Sequence, residues 1–61
     1  MTLRNYLNTE EGKALQAVCY YGRNGQYYFH GIEKAKKTVA MDKVVDQIIT
    51  GKDGKETAWL Y

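Results

Sequence analysis

The sequence predicts a small, mainly β domain: a strongly bent antiparallel meander of four to five strands behind a short N-terminal helix, with residues 1–61 as a single unit. Three observations carry that prediction. Asn24-Gly25 and Asp53-Gly54 interrupt runs of aromatic and β-branched residues, the strongest short-range hairpin signal. No proline occurs, as suits a compact chain rich in regular structure. At 61 residues the chain can fill one core of about ten side chains and is too short to wall off a deep substrate cavity as well.

The elements follow in order. Thr2 is placed to cap a helix over "LRNYLN", where Leu3, Tyr6 and Leu7 form one apolar stripe at 3–4 spacing. One or two turns cannot stand alone, so the stripe must dock, for instance over one end of a sheet. "NTEEGK" is polar and turn-prone, and Gly12 is expected to end the segment or start a turn.

"YYGRNGQYYFHG" then reads as a hairpin. A type I′ turn at Asn24-Gly25 sets Arg23 against Gln26, Tyr21 against Tyr28, Tyr20 against Phe29, and Cys19 against His30. Alternation then puts Leu15, Ala17, Cys19, Tyr21, Tyr28, His30 and Ile32 on one face. Val18, Tyr20, Tyr27 and Phe29 take the other, with Gly22 and Gly31. Neither face is polar, and a domain of this size cannot hide both. Gly31 is where a sharp mid-strand bend is expected, with Val18 and Phe29 inside the curl and Tyr21 and Tyr28 as the exposed pair.

"EKAKK" is expected to be a connection and "TVAM" a strand. Residues 42–50 admit two readings. Met41, Val44, Val45, Ile48 and Ile49 share a helical stripe that Asp42 can cap, which would make the domain α+β. The same residues also read as a tight turn over "DKVV" followed by strand "DQIIT". At the end, "GKDGK" turns the chain into "ETAWLY", pairing Thr50 with Thr57 and Ile48 with Trp59.

The segment "NGQYYFHGIEKAKKTVAM" resembles the strand–glycine–strand core of the Sm-like (Hfq-like) small β-barrels, with Gly31 at the bend. "TVAMDKVVDQII" is similar to that family's closing strand–turn–strand. The resemblance implies a small bent barrel and little about activity, because such barrels host many unrelated roles. Glu33 is a candidate for the family's acidic residue. Asp42-Lys43 stands where the Hfq-like proteins carry Lys-His, and the last hairpin departs from the family plan.

No residue pattern points to catalysis. A cross-strand Cys19–His30 pair would be the only nucleophile–base candidate, and it has no third orienting group. Two ligands also fall short of a tetrahedral metal set. The carboxylates lie scattered through turns and caps, and "GRNG" and "GKDG" lack the context of a phosphate loop. A non-enzyme without metal or cofactor is expected. Cys19 alone cannot form an internal disulfide; it reads as a small buried hydrophobe, with a reactive thiol or an intermolecular bridge as the alternative. No apolar run is long enough to span a membrane and the first residues lack a leader pattern, so a cytoplasmic protein is expected.

The remaining constellation is aromatic and basic. A partner-binding surface is expected from Tyr21, Arg23, Tyr28 and His30 with Lys34, Lys36 and Lys37, and Tyr20 and Tyr27 belong to the same tyrosine cluster. Rigid amphipathic rings make good protein anchors, so an accessory or regulatory module that docks on a protein partner or on itself is the first reading. Stacking on single-stranded nucleic acid, with the lysines and Arg23 on the backbone, is the second. The net charge of +2 selects neither.

Overall fold

A computed structural model describes all of residues 1–61. Two short helical turns come first, α1 (Leu3–Tyr6) and α2 (Glu10–Lys13). Strands β1 (Leu15–Tyr21) and β2 (Tyr27–Gly31) follow. The chain then forms α3 (Ile32–Ala35) and a 3-10 turn over Val39–Asp42. It ends in β3 (Val45–Thr50) and β4 (Glu56–Leu60). No helix is long and apolar enough to cross a membrane.

The N-terminal expectation holds. The Thr2 side chain accepts a hydrogen bond from Asn5 N at 3.2 Å, and Leu3 is wholly buried. Gly12 differs from its expected role, because it lies inside α2 rather than at a break. The Thr9 hydroxyl caps that turn, accepting from Gly12 N at 3.0 Å and donating to the Tyr6 carbonyl at 2.6 Å. A Cβ on Gly12 would fall 1.8 Å from that same carbonyl oxygen. Only glycine lets the two turns sit this close.

The four strands form one sheet in the order β2-β1-β4-β3. It is mainly β as expected, but it is mixed rather than an antiparallel meander. The two hairpins lie side by side and join through a parallel pairing of β1 with β4, which a meander does not contain. Val45–Thr50 is strand, so the helical alternative for 42–50 is overturned. "TVAM" is not a strand: the Thr38 hydroxyl accepts from Ala40 N at 3.1 Å and starts the 3-10 turn instead. "EKAKK" likewise contributes to α3, whose Ala35 is buried. Gly31 ends β2 with nothing within 4 Å of a Cβ built there, so it marks no mid-strand bend.

Both hairpins close by the same five-residue device. Gly22 N donates to Gln26 O at 2.7 Å and Gly25 N to Gly22 O at 3.0 Å; the Asn24 side chain accepts from Gln26 N at 3.1 Å. In the second hairpin Gly51 N donates to Lys55 O at 2.8 Å, Gly54 N to Gly51 O at 3.0 Å, and Asp53 accepts from Lys55 N at 3.0 Å. Gly25 and Gly54 have φ of 80° and 81°, and no other residue has positive φ. A type I′ turn needs positive φ at two successive residues, so these are the longer loops that end on one left-handed glycine.

The register therefore shifts by one residue in each hairpin. Tyr21 pairs with Tyr27, Tyr20 with Tyr28, Cys19 with Phe29 and Val18 with His30. Ile48 pairs with Ala58 and Thr50 with Glu56, while Trp59 faces Gln47.

The core lies on one side of the sheet. Val18, Tyr20, Ala58 and Leu60 pack there against Leu3, Ala35 and Ala40, with Tyr28, Ile32, Val45 and Ile48 at the margins. The crossover from β2 to β3 carries α3 and the 3-10 turn over this side, and α1 joins them. Three fully buried alanines, Ala35, Ala40 and Ala58, let the short segments approach the strands. Irregularities at Gln16 and Asp46 turn Leu15 and Val45 toward the same layer. Nothing covers the other side.

Candidate functional site

The uncovered side of the sheet is the most conspicuous surface of the molecule. Pairing across all four strands aligns Phe29, Cys19, Trp59 and Gln47 in one row, with Tyr27 and Tyr21 in the next. Tyr21 stacks on Trp59 with ring centroids 5.8 Å apart at 25°, and Tyr27 lies 5.6 Å from Tyr21 and 6.0 Å from Trp59. Tyr21, Tyr27 and Phe29, at the end of β1 and along the edge strand β2, are 60%, 49% and 58% exposed and have nothing packed over them. Ile49 extends the apolar surface toward the second turn.

Cys19 and Ala17 sit beneath this layer, buried but outside the main core. The Cys19 Sγ lies 3.8 Å from the Ala58 carbonyl. Burial pushes its thiol above the ordinary range, against a smaller downward pull from the Tyr27 hydroxyl. Desolvation, with Cys19 beside it, raises the Tyr27 phenol as well. A buried thiol kept protonated is a poor nucleophile at neutral pH, and Cys19 packs beneath the aromatic layer.

A second feature opens on the covered side, at the end of the β1–β2 hairpin. There a groove of about 660 Å³ runs between that hairpin and the 3-10 turn. Tyr20, Tyr28 and His30 form its aromatic wall. Tyr20 stacks on Tyr28 at 5.3 Å and 27°, and His30 lies 5.8 and 5.9 Å from the two rings. Arg23 and Lys43 line it, with the Lys43 ammonium 5.0 Å from the Tyr20 ring centroid, a cation–π distance. His30 Nδ1 is buried and has no hydrogen-bond partner, which in a low-dielectric site costs about 1–3 kcal/mol.

The expected partner-binding set is thus divided among three places. Tyr21 lies on the open face. Tyr28 and His30, expected beside it, are on the opposite side because the longer turn shifts β2 by one residue; they join Arg23 in the groove. The exposed pair is Tyr21 with Tyr27, not Tyr21 with Tyr28, and Phe29 is outside rather than inside. Lys34, Lys36 and Lys37 are exposed around α3, whose Ala35 packs into the core layer, so they stand on the covered side away from the open aromatics. Lys36 is 3.6 Å from Glu33.

The Cys19–His30 pairing does not form, since the two side chains project from opposite faces. No three His, Cys, Asp or Glu side chains come together as a metal set. Phe29, Trp59 and Lys43 are the site residues that sequence reasoning missed. The repeated G-x-(Asn/Asp)-G-x turn sets Phe29 opposite Cys19 and Trp59 opposite Gln47, but the alignment of Trp59 with Cys19 comes from the parallel β1–β4 pairing, which no turn specifies. No protein-family model matches the chain, and neither a curated protein nor a solved structure matches it.

Proposed function

We propose that the protein is a non-enzymatic binding module that recognises a protein surface through the open face of its sheet. The observation that carries this reading is the contiguous, unpartnered layer of Tyr21, Tyr27, Phe29 and Trp59. These rings stand on a hydrogen-bonded sheet and lose little freedom on binding, which is what makes aromatics effective anchors. Of the basic residues expected to hold a nucleic-acid backbone, Lys34, Lys36 and Lys37 lie on the other side of the sheet, and only Arg23 stands near Tyr21. Base stacking on the open face would have to proceed without the lysines, and this favours a protein surface over single-stranded nucleic acid.

Site-directed photo-crosslinking tests the proposal. A benzoylphenylalanine at position 27 or 59 is expected to give protein adducts, with a second copy or a different chain. The same group at position 37 is expected to give few, and Phe29→Ala is expected to reduce the yield from position 27. Equal yields from both sides of the sheet would count against the proposal. So would quenching of Trp59 fluorescence by single-stranded RNA with steep salt dependence, which is the signature of the alternative.

A further inference from the structure

We infer that the groove between the β1–β2 hairpin and the Val39–Asp42 turn binds a small planar ring that carries a phosphate, the chemistry of a nucleoside monophosphate. Its volume of about 660 Å³ lies within the range of small-ligand sites and leaves room for more than an isolated anion. Its charge is unbalanced in the right direction. The ion pairs of the chain engage Arg4, Lys13 and Lys36, leaving Arg23 and Lys43 without carboxylate partners. Asp42 is the one carboxylate lining the groove, and Arg4 holds it at 3.2 Å.

Arginine offers a phosphate two parallel N–H donors, and lysine adds a point charge. The apolar part of such a ligand has a surface to meet in Tyr28, half-buried and stacked on Tyr20. Gly22 keeps that ring accessible, because a Cβ there would lie 2.8 Å from Tyr28 Cε2. His30 lines the groove beside both tyrosine rings and adds to its aromatic wall. Arg23 and Lys43 also line a neighbouring hollow beside Tyr21, whereas Tyr20, Tyr28 and His30 lie on the covered side only, so shifts at the groove and shifts at Tyr27 and Trp59 tell the two surfaces apart.

The test is an amide NMR titration of the full chain at low salt with adenosine monophosphate, with adenosine and inorganic phosphate as separate halves. Saturable shifts are expected at Gly22, Arg23, His30 and Lys43. Each half alone is expected to bind at least about tenfold more weakly, as are Arg23→Ala and Lys43→Gln, the scale of one lost charge-assisted contact. Arg23→Lys is expected to restore part of the loss. Three results would each overturn the inference: no shifts at millimolar nucleotide, shifts centred on Tyr27 and Trp59, or undiminished binding by both charge-removing variants. Adenosine binding as tightly as its monophosphate would overturn it as well.

Discussion

Gly12→Ala should destabilise the fold although it places a better helix former inside a helical turn. The added Cβ would sit 1.8 Å from the Tyr6 carbonyl oxygen and 2.8 Å from Leu7 Cα, both backbone atoms that cannot rotate away. Relief requires α1 and α2 to separate, which breaks the Thr9 bridge between Gly12 N and Tyr6 O. Loss of that cap costs about 1 kcal/mol, and the gain in helix propensity returns about the same. What remains is overpacking, about 1–3 kcal/mol. A domain this small has about 3–5 kcal/mol in total, so the loss is a large fraction of it. In a thermal melt followed by circular dichroism, each kcal/mol lowers Tm by roughly 4–8 °C. Gly31→Ala is the control: φ is −65° and the space is open, and the entropy gained against alanine's poorer N-cap preference at the start of α3 should leave it within about 0.5–1 kcal/mol of neutral. A Gly12→Ala variant within about 0.5 kcal/mol of the unmodified chain, the ordinary scatter of surface changes, would refute the packing argument.

Three further outcomes are expected. Gly25→Ala and Gly54→Ala should each cost about 1–2 kcal/mol in urea denaturation because both force a Cβ into positive φ, and Asn should be tolerated better at either site. Leu3→Ala should remove about 2–5 kcal/mol, enough to leave the chain largely unfolded by near-ultraviolet circular dichroism, since Leu3 is one of the two largest wholly buried side chains. Stability should also fall on the alkaline side. The Cys19 thiol is raised in the folded chain, so the unfolded chain ionises first; stability is intact below the ordinary thiol range and erodes as pH rises through it toward the folded value. Urea midpoints measured from neutral to alkaline pH should show that slope, and Cys19→Ala should flatten its onset.

The parts of this fold legible in the sequence are local ones. Thr2 and the Leu3 stripe announced α1, and the two Asx-Gly turns announced both hairpins. Their registers were missed by one residue each, and for one reason. Asn24 and Asp53 look like the first residue of a two-residue turn, yet each is used as an acceptor for the amide two positions on, leaving only the following glycine left-handed. That single residue moved Tyr28 and His30 off the face of Tyr21, while Trp59 joined that face through the parallel β1–β4 pairing. The parallel seam between β1 and β4 left no local trace, because pairing between distant strands depends on which surfaces remain after the hairpins form. Thr38 similarly overrode the β-branched look of "TVAM" by capping a tight turn.

That seam also has a kinetic consequence. Each hairpin joins near neighbours in the chain, but Cys19 and Ala58, in contact across β1 and β4, are 39 positions apart. Closing so long a loop costs entropy that no local turn returns. The two hairpins should therefore form early and independently, and the rate of folding should be governed by their meeting. Truncations at Val18 or Ala58 would then slow folding, and so would changes at either glycine turn, because hairpins formed before the rate-limiting step are already present in the transition state.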